Sequence, residues 1–310
     1  MARVVVALGG NALLRRGEPV TAQAQRENIR RAAKSLSRLL VGGHQIVITH
    51  GNGPQVGLLA LQGEVAAETV GGAVFPLDVL GAETEGMIGY VLQQELDNAY
   101  EPSARFATLL TQIEVDPKDP AFAAPSKPVG SVYSEADARR LAEQRGWSIA
   151  PDGDAWRRVV ASPKPVRILE IDVIRLLVEQ GVVVICAGGG GIPVAQLADG
   201  TYVGVEAVID KDHASALLAT ELKADAFLML TDVEAVFTGW GTPQQAALGD
   251  VTPKKLAAMD FAAGSMGPKV QAACDFVLRT GGMSGIGALD DAADILAHKA
   301  GTRVVPDTPG

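Results

Sequence analysis

Residues 4–13 read Val-Val-Val-Ala-Leu-Gly-Gly-Asn-Ala-Leu, a short apolar run that ends in a glycine pair. The run predicts a strand at Arg3–Leu8 that is apolar on both faces, as a strand covered by helices on two sides must be. The same pattern recurs along the chain and predicts further strands at Gln45–Thr49, Val182–Ala187, Ala226–Leu230 and Thr302–Val305.

Helical patterns lie between these strands, and several end at glycines. They predict helices at Ala22–Leu40, Leu77–Ala99, Ile168–Glu179, Lys211–Leu222 and Pro268–Thr280. Strands that alternate with helices from end to end indicate an α/β protein built around a mainly parallel sheet. We therefore expect residues 1–310 to form a single domain.

Composition excludes several classes of protein. The net charge is −9, which argues against a protein that coats nucleic acid or anionic lipid through bulk charge. The two cysteines, Cys186 and Cys274, form neither a disulfide framework nor a zinc pattern, and this suits a reducing cytosol. No apolar run approaches the roughly 18 residues of a membrane span.

Glycine is over-represented, and its positions are informative: the chain has 35 glycines. Three of the predicted strands end in the clusters Gly9-Gly10-Asn11, Gly51-Asn52-Gly53-Pro54 and Gly188–Gly191. Glycine lets backbone N–H groups approach a bound anion, although it also simply permits a tight turn. Since the carboxyl ends of parallel strands share one sheet edge, three such clusters favour an anion or phosphate site there.

The familiar phosphate-binding fingerprints are absent from the sequence. No Gly-x-x-x-x-Gly-Lys-Ser/Thr occurs, and no Gly-x-Gly-x-x-Gly follows a predicted strand. A P-loop protein is therefore excluded, and an NAD-dependent oxidoreductase is strongly disfavoured.

Lys211 and Lys269 each lie near a predicted helix start, where a cation opposes the helix dipole unless an anion binds. Lys254 and Lys255 begin another predicted helix without any glycine turn, so placement alone leaves a structural role equally open. Asp210 is equally well explained as the N-cap of the helix that follows it.

Residues from about 114 to 165 interrupt the alternation of strand and helix. This segment carries seven prolines, and Asp152-Gly153 between two apolar stretches predicts a hairpin. A connection of this length indicates a lid or a small inserted subdomain.

The remaining reactive side chains give weaker signals. His50 precedes a glycine turn and could reach a ligand, but a packed imidazole is favoured, and the histidines show no metal-binding spacing. Cys186 is expected in the core. The tryptophans Trp147, Trp156 and Trp240 are expected mainly to pack beside loops, although covering a pocket is an alternative.

Several of these stretches resemble the carbamate kinases of the amino acid kinase superfamily. The resemblance is carried, in order along nearly the whole chain, by residues 5–13, 49–57, 84–90, 187–194, 206–212, 230–233 and 264–269. Residues 126–130, Ser-Lys-Pro-Val-Gly, resemble the lid of that family. Kinases outside this branch carry a lysine just before the first glycine pair, where this chain has Ala7. This difference counts against an acetylglutamate or uridylate kinase.

The resemblance implies an open, mainly parallel eight-stranded sheet between helices, with a protruding lid subdomain. It also implies reversible phosphoryl transfer between ATP and carbamate, giving ADP and carbamoyl phosphate, with Mg²⁺ as cofactor. A cytoplasmic homodimer that makes ATP from carbamoyl phosphate in arginine catabolism is the expected setting, without nucleic-acid or membrane partners.

Site residues carry over by position. Lys211 and Lys269 would contact the transferring phosphoryl group and the nucleotide phosphates, Asp210 would hold these lysines, and Lys127 would reach in from the lid. The substrate and phosphoryl group would be surrounded by Gly9, Gly10, Asn11, Gly51, Asn52 and Gly53. The nucleotide would be bound by Thr231, Asp232, Val233, Met266 and Gly267. The resemblance leaves the metal ligands unidentified.

Two other functions remain open from the sequence. One is another kinase of the superfamily that forms an acyl phosphate, and the other is a non-catalytic nucleotide sensor on the same fold. A panel of acceptor substrates separates the first, and nucleotide binding without turnover would identify the second.

Overall fold

The computed structural model describes residues 2–14, 18–19, 21–71, 74–262 and 265–307. Numbered along the chain, the strands are β1 (Arg3–Leu8), β2 (Gln45–His50), β3 (Arg105–Thr108), β4 (Gln112–Val115), β5 (Lys127–Tyr133), β6 (Ser148–Asp152), β7 (Ala155–Val160), β8 (Pro165–Ile168), β9 (Val182–Ile185), β10 (Ile192–Gln196), β11 (Tyr202–Gly204), β12 (Ala226–Thr231), β13 (Phe237–Thr238), β14 (Ala246–Ala247), β15 (Asp250–Val251), β16 (Met283–Ala288) and β17 (Thr302–Val304). The α-helices are α1 (Gly10–Leu13), α2 (Ala22–Val41), α3 (Gly53–Val70), α4 (Leu77–Ala99), α5 (Glu135–Arg145), α6 (Ile171–Glu179), α7 (Lys211–Glu221), α8 (Pro253–Leu256), α9 (Met266–Thr280) and α10 (Ala292–Leu296).

The main sheet has eight strands in the order β15-β17-β16-β12-β1-β2-β9-β3. Every neighbouring pair is parallel except β16 and β17. The strand β1 lies in the interior of the sheet, where Val5 pairs with Val47 of β2 on one side and Phe227 of β12 on the other. The predicted α/β class, with a mainly parallel eight-stranded sheet between helices, is confirmed.

Because β1 is apolar on both faces, it packs into two separate hydrophobic cores, one on each side of the sheet. Val4, Val6 and Leu8 pack with residues of α2, α4 and α10 on one face of the sheet. Val5 and Ala7 pack with residues of α6, α7 and α9 on the other. Each fully buried valine or leucine contributes roughly 1.5–3 kcal/mol, so both faces hold the strand in place.

The residues between β4 and β8 build a small substructure of their own. Strands β5, β7 and β6 form an antiparallel three-stranded sheet in that order, with α5 packed on it. The predicted hairpin is present: Asp152 pairs with Ala155, and Gly153 has a left-handed φ of 63° in the connecting turn. We call β5, α5, β6 and β7 the inserted sheet.

A second small sheet joins this insertion to the main body. Its strand order is β11-β10-β4-β8, so β4 and β8 lie side by side at the two ends of the inserted sheet. The predicted segment of about 114–165 thus begins within β4 and ends at the first residue of β8. The chain that leaves the main body at β4 returns to it beside the same strand.

The structure moves the starts of two predicted helices and adds a strand to the main sheet. The predicted helix Ile168–Glu179 is shorter, because Ile168 belongs to β8 and α6 begins at Ile171. Helix α9 begins at Met266, so Pro268 is its third residue instead of its first. Strand β16, which pairs with β12 in the main sheet, was not predicted. Within the described residues, no helix is both long and apolar enough to cross a lipid bilayer.

Candidate active site

A cleft of about 720 Å³ opens at the carboxyl edge of the main sheet, beside the ends of β1, β2 and β12. Its lining contains most of the predicted site residues, namely Gly9, Gly10, Gly51, Asn52, Gly53, Lys127, Asp210, Lys211, Thr231, Asp232, Val233, Met266 and Lys269. Residues distant in sequence thus meet at one sheet edge, as parallel topology requires. The side chain of Asn11, in α1, lies outside what the structure describes, as does Gly264 of the motif at 264–269.

The first two glycine turns pack against each other through their backbones. A Cβ atom at Gly51 would lie 3.1 Å from the backbone nitrogen of Gly10, and one at Gly9 would lie 3.0 Å from the Leu230 carbonyl oxygen. The Gly9 N–H donates to that same oxygen at 2.8 Å. Side chains would therefore separate the turns, whereas glycine lets their backbones approach each other at the edge of the cleft.

The third glycine cluster supports the site from behind. Ala187 and Gly189–Gly191 all have left-handed φ values, and Gly189 is the one residue of Gly188–Gly191 in the cleft lining. A Cβ atom at Gly189 would lie 2.1 Å from Nδ2 of Asn52, and one at Gly190 would lie 2.3 Å from the Ile209 carbonyl oxygen. This cluster therefore fixes Asn52 and the approach to α7 more than it surrounds a ligand.

Lys211 and Lys269 share one carboxylate, that of Asp212. The Lys211 Nζ lies 2.5 Å from Asp212 Oδ1, and the Lys269 Nζ lies 3.1 Å from Asp212 Oδ2. The two lysine side chains are 13% and 15% exposed, so their ammonium groups reach the cleft from a largely buried position. Two positive charges beside one negative charge leave these three side chains with a net positive charge.

Burial and neighbouring charges shift the pKa values of Lys211 and Asp212. Burial lowers the pKa of Lys211; Asp212 opposes this effect, and the nearby Lys269 adds to it. Burial alone would raise the pKa of Asp212, but Lys211 and Lys269 together lower it below its usual range. The aspartate is therefore ionised and is a poor proton acceptor.

Asp210, which was expected to hold the two lysines, pairs directly with Lys127 instead, although its charge still raises the pKa of Lys211. Its Oδ2 accepts from the Lys127 Nζ at 2.8 Å, and its Oδ1 accepts from the backbone N–H groups of Asp212 and His213. Burial raises the pKa of Asp210, but Lys127 and neighbouring cations overcome this and lower it well below the usual range. Asp210 is thus both the N-cap of α7 and the partner of a lysine from the inserted sheet.

Asp212 is the carboxylate that pairs with both lysines, and no sequence pattern distinguished it from Asp210. Asp212 is the second residue of α7 and is 4% exposed. An acidic residue in the first turn of a helix is usually explained by the helix dipole. An ion-pair partner differs from a surface charge only in the direction of its side chain. For Asp212 that direction depends on how α7 packs against α9.

Asn52 and the helix α4 support the substrate side of the cleft. The Asn52 Nδ2 donates to Thr84 Oγ1 at 2.9 Å, and Glu85 accepts from the backbone N–H groups of Gly188 and Thr111 at 2.8 and 3.1 Å. Burial raises the pKa of Glu85 to about 8, although these donors lower it in part. Glu85 is a second residue to which the sequence analysis assigned no role.

His50 is a core residue, in agreement with the favoured interpretation. It is fully buried, its Nδ1 lies 3.1 Å from the Gly51 carbonyl oxygen, and burial lowers its pKa to about 4. Cys186 is also buried, as expected.

The cleft lining beside β12 and α9 includes the apolar side chains of Phe237, Phe261 and Met266, and we call it the apolar end. Thr231 ends β12, Asp232 and Val233 follow it, and Met266 begins α9. Gly267 is not part of the cleft lining; its N–H donates to the Ala262 carbonyl oxygen at 2.9 Å.

Trp240 lines the cleft instead of simply packing beside a loop. It is 65% exposed, and its ring contacts Phe237 with 5.4 Å between centroids. An exposed indole at the apolar end offers a flat surface to a planar ligand.

The described residues contain no group of three or more His, Cys, Asp or Glu side chains arranged to hold a metal ion. Asp210 and Asp212 are already paired with lysines. Kinases that use ATP generally require a divalent cation, and Mg²⁺ in particular is commonly held through one or two carboxylates, substrate phosphates and water. The donor set of this cleft fits that arrangement.

Comparison with known proteins identifies the family. Residues 2–286 match the model of the amino acid kinase family. The chain is 54% identical over 308 residues to a carbamate kinase of Haemophilus influenzae, covering 99% of this chain and 98% of that protein. It is 55% identical over 304 residues to a carbamate kinase of Rhizobium meliloti, covering 97% and 93%.

A solved structure agrees with these sequence matches. Carbamate kinase from Giardia lamblia bound to AMP-PNP superposes with a TM-score of 0.90 at 42% identity, and the match covers 99% of each chain. This chain therefore belongs to the amino acid kinase family and, within it, to the carbamate kinases.

Proposed function

We propose that the chain catalyses reversible phosphoryl transfer between MgATP and carbamate, giving ADP and carbamoyl phosphate. The observation that carries the proposal is the pair of ammonium groups, Lys211 and Lys269, on either side of the Asp212 carboxylate in a glycine-lined cleft. The carbamate kinases among its relatives support the choice of substrate.

The chemistry requires charge neutralisation more than proton transfer. In the forward direction a carbamate oxygen forms a bond to the γ-phosphorus while the bond from that phosphorus to the β–γ bridging oxygen breaks, and ADP leaves with the electron pair. Carbamate is already an anion, so no base has to remove a proton. Two unit charges about 4 Å apart repel by roughly 4 kcal/mol at an effective dielectric near 20. Lowering this repulsion is therefore the main task of the site.

The carboxylates at the reaction end of the cleft fit this requirement. Lysine neighbours lower the pKa of both Asp210 and Asp212, so neither is suited to accept a proton near neutral pH. Their role is to position ammonium groups. Lys211 and Lys269 then neutralise the charge that builds up on the transferring group, as fixed positive groups do in other phosphoryl transfers.

The two ends of the cleft suit the two reactants. At the glycine end, Gly9, Gly10, Gly51 and Gly53, together with Asn52 and Asn11, would surround carbamate and the phosphoryl group. At the apolar end, Thr231, Asp232, Val233 and Met266 would contact the nucleotide, and Gly267 would contribute through its place in the α9 turn. Mg²⁺ would enter on the nucleotide phosphates and supply further positive charge.

The insertion at about residues 114–165 would act as a lid. Lys127 at the start of β5 already reaches Asp210, so the inserted sheet lies over the reaction end of the cleft. A lid that excludes water would protect carbamoyl phosphate, which is labile. Deletion of the inserted sheet without loss of carbamoyl-phosphate turnover would contradict this role.

The physiological setting is inferred from the resemblance to carbamate kinases. We propose a cytoplasmic homodimer that forms ATP from carbamoyl phosphate and ADP during arginine breakdown. Met87, Tyr90 and Leu110, exposed apolar residues of α4 and of the loop after β3, offer a surface for a second copy. The molar mass in solution, compared with the 32.2 kDa of one chain, tests the dimer.

The decisive assay is ATP formation from ADP and carbamoyl phosphate, with acetyl phosphate as the comparison donor. We expect turnover with carbamoyl phosphate and much slower turnover with acetyl phosphate. Preference for acetyl phosphate or another acyl phosphate would favour a different kinase of the superfamily. ADP binding without turnover, retained in Lys211→Ala, would favour a nucleotide sensor.

A further inference from the structure

Glu64, in the second half of α3, is a largely buried carboxylate whose cationic partners both come from the inserted sheet. It is 9% exposed and forms an ion pair with Arg145 at the end of α5. A second cation, Arg158 of β7, lies 3.9 Å from its Oε1. The guanidinium groups of both arginines lie 5.1 Å from the centre of the Trp147 ring. The carboxylate of a main-body helix is thus clamped by the insertion.

The same helix contacts the insertion through its backbone about two turns earlier, at Gly57. A Cβ atom at Gly57 would lie 2.3 Å from the Cα of Gly130 in β5, so the backbones of α3 and β5 are in contact at these two glycines. We call this contact of α3 with the inserted sheet, made by Gly57, Glu64, Gly130, Arg145 and Arg158, the docking seam. Tight backbone packing sets the distance, and the ion pairs hold the orientation.

The charge balance of the seam depends on Glu64. Burial raises its pKa, and the charges of Arg145 and Arg158 oppose that effect. Arg145 also contacts Glu68 at 2.6 Å, and Arg158 contacts Glu206 at 3.3 Å, but both of these carboxylates are more than half exposed. If Glu64 lost its charge, the partly buried guanidinium groups of Arg145 and Arg158 would keep only Glu68 and Glu206 as ion-pair partners, and solvent screens both of these.

Both elements of the docking seam, α3 and β5, begin at residues that line the cleft. Helix α3 begins at Gly53, within the substrate-side glycine turn. Strand β5 carries Gly130 in the seam and Lys127 at its start, only three residues away, or about 10 Å along a strand. The Lys127 Nζ lies 2.8 Å from Asp210 Oδ2. A shift of the insertion at α3 would therefore move the Lys127 ammonium group.

We propose that Glu64 is a remote positioning residue for Lys127: by holding the inserted sheet on α3, it keeps the Lys127 ammonium group at the reaction end of the cleft. The proposal rests on the phosphoryl transfer proposed above and assigns a function to a residue that touches neither reactant. It accounts for a nearly buried carboxylate whose two arginine partners both lie in the insertion.

A double-mutant cycle between Glu64 and Lys127 tests the proposal. Glu64→Gln keeps the shape of the side chain and removes its charge. We expect it to lower kcat/KM for carbamoyl phosphate about tenfold in the native background, but by less than about twofold when Lys127 is already alanine. Glu68→Gln, which removes the exposed partner of the same arginine, is the matched control and should change kcat/KM by less than about twofold. Glu64→Asp should retain part of the activity.

Hydrogen exchange supplies a readout that does not depend on turnover. In Glu64→Gln the amides of residues 127–133 should exchange faster than in the native chain, whereas those of residues 3–8 should stay equally protected. Equal losses of kcat/KM in both backgrounds, or unchanged exchange at 127–133, would overturn the proposal. If the native chain forms no ATP, the proposed function fails, and the exchange experiment still decides whether Glu64 holds the seam closed.

Discussion

Lys127 and Asp210 form an ion pair of 2.8 Å that joins the start of the inserted sheet to the N-terminus of α7. Lys127 is 26% exposed and Asp210 is 22% exposed, so the pair lies at the mouth of the cleft and not in the core. The same carboxylate accepts hydrogen bonds from two backbone N–H groups of α7. One aspartate therefore links the position of the insertion to the helix that carries Lys211.

Asp210→Asn separates these two functions, because asparagine is also a good N-cap but carries no charge. We expect its free energy of unfolding to stay within about 1 kcal/mol of the native value, while kcat falls at least about tenfold. Asp210→Ala should lose roughly a further 1 kcal/mol, since it removes the cap as well. Urea unfolding and the ATP-formation assay measure the two effects. Equal kcat values for Asp210→Asn and the native chain would contradict a role for the charge.

Lys211→Ala and Lys269→Ala should each lower kcat for ATP formation by about 10²–10³-fold, because each removes a fixed positive charge from the site of phosphoryl transfer. Lys254→Ala is the matched control. Lys254 also lies in the first turn of a helix, but it is exposed and lies outside the cleft lining. Its kcat should equal that of the native chain. Near-normal kcat in either cleft variant would remove that lysine from the mechanism.

Asp212→Asn should shift the alkaline limb of the pH–rate profile. Burial lowers the pKa of Lys211 and Asp212 opposes that effect, so removing the Asp212 charge lowers the Lys211 pKa further. Activity requires the protonated lysine and is lost as the pH rises through its pKa. The decline in kcat/KM should therefore begin at lower pH in Asp212→Asn. A profile from about pH 6 to about pH 10, with an unshifted alkaline limb in the variant, would contradict this coupling.

Gly57→Ala should open the docking seam, because its Cβ atom would lie 2.3 Å from the Cα of Gly130. Gly63→Ala is a matched control on the same helix, since its Cβ atom would meet only Val74 Cγ1 at 3.6 Å. Alanine favours a helix over glycine by roughly 1 kcal/mol, so Gly63→Ala should be neutral or stabilising. Faster hydrogen exchange at 127–133 is expected in Gly57→Ala alone. The same rates in both variants would mean that the seam tolerates the extra methyl group.

Glu85 should make the folded state less stable as the pH rises. Burial raises its pKa from 4.5 to about 8, so between these values the folded chain holds a proton that the unfolded chain has released. The free energy of unfolding should fall across this window, by on the order of 4 kcal/mol at most. In Glu85→Gln, which has one acceptor fewer, stability should be lower at acidic pH but change less with pH. Urea unfolding between pH 5 and pH 8 measures both slopes, and parallel curves would refute the assignment.

Much of the main sheet was predictable because its strands are apolar on both faces. β1 was predicted residue for residue, and β2, β9, β12 and β17 to within two residues at one end. Strand β16 was missed because Met283–Ala288 contains two glycines and a serine. The structure gives the reason for one glycine: a Cβ atom at Gly285 would lie 2.4 Å from Ile295 Cγ2 of α10. This close approach of a helix is a tertiary contact, and no local pattern reports it.

The candidate site was predictable as a set of residues but not as a set of pairs. The glycine turns, Lys127, Lys211 and Lys269 meet in one cleft, yet the carboxylate that pairs with the last two lysines is Asp212, where Asp210 was expected. Asp210 and Asp212 are two residues apart, which rotates their side chains by about 200° around a helix axis. Which of them faces Lys269 depends on how α7 packs against α9. The sequence contains both carboxylates, but the choice between them is made by the fold.

The interior position of β1 has a consequence for how the protein is made. Val4 pairs with Ile46 of β2, but its other neighbour is Ala226 of β12, which leaves the ribosome far later. Because synthesis adds about 5–20 residues per second, one edge of β1 stays unpaired for roughly 10–40 seconds until β12 has been made. During that interval it can pair with other nascent chains, so synthesis should benefit from a chaperone that shields this edge. Expression at lower temperature, or with additional chaperone, should raise the soluble yield.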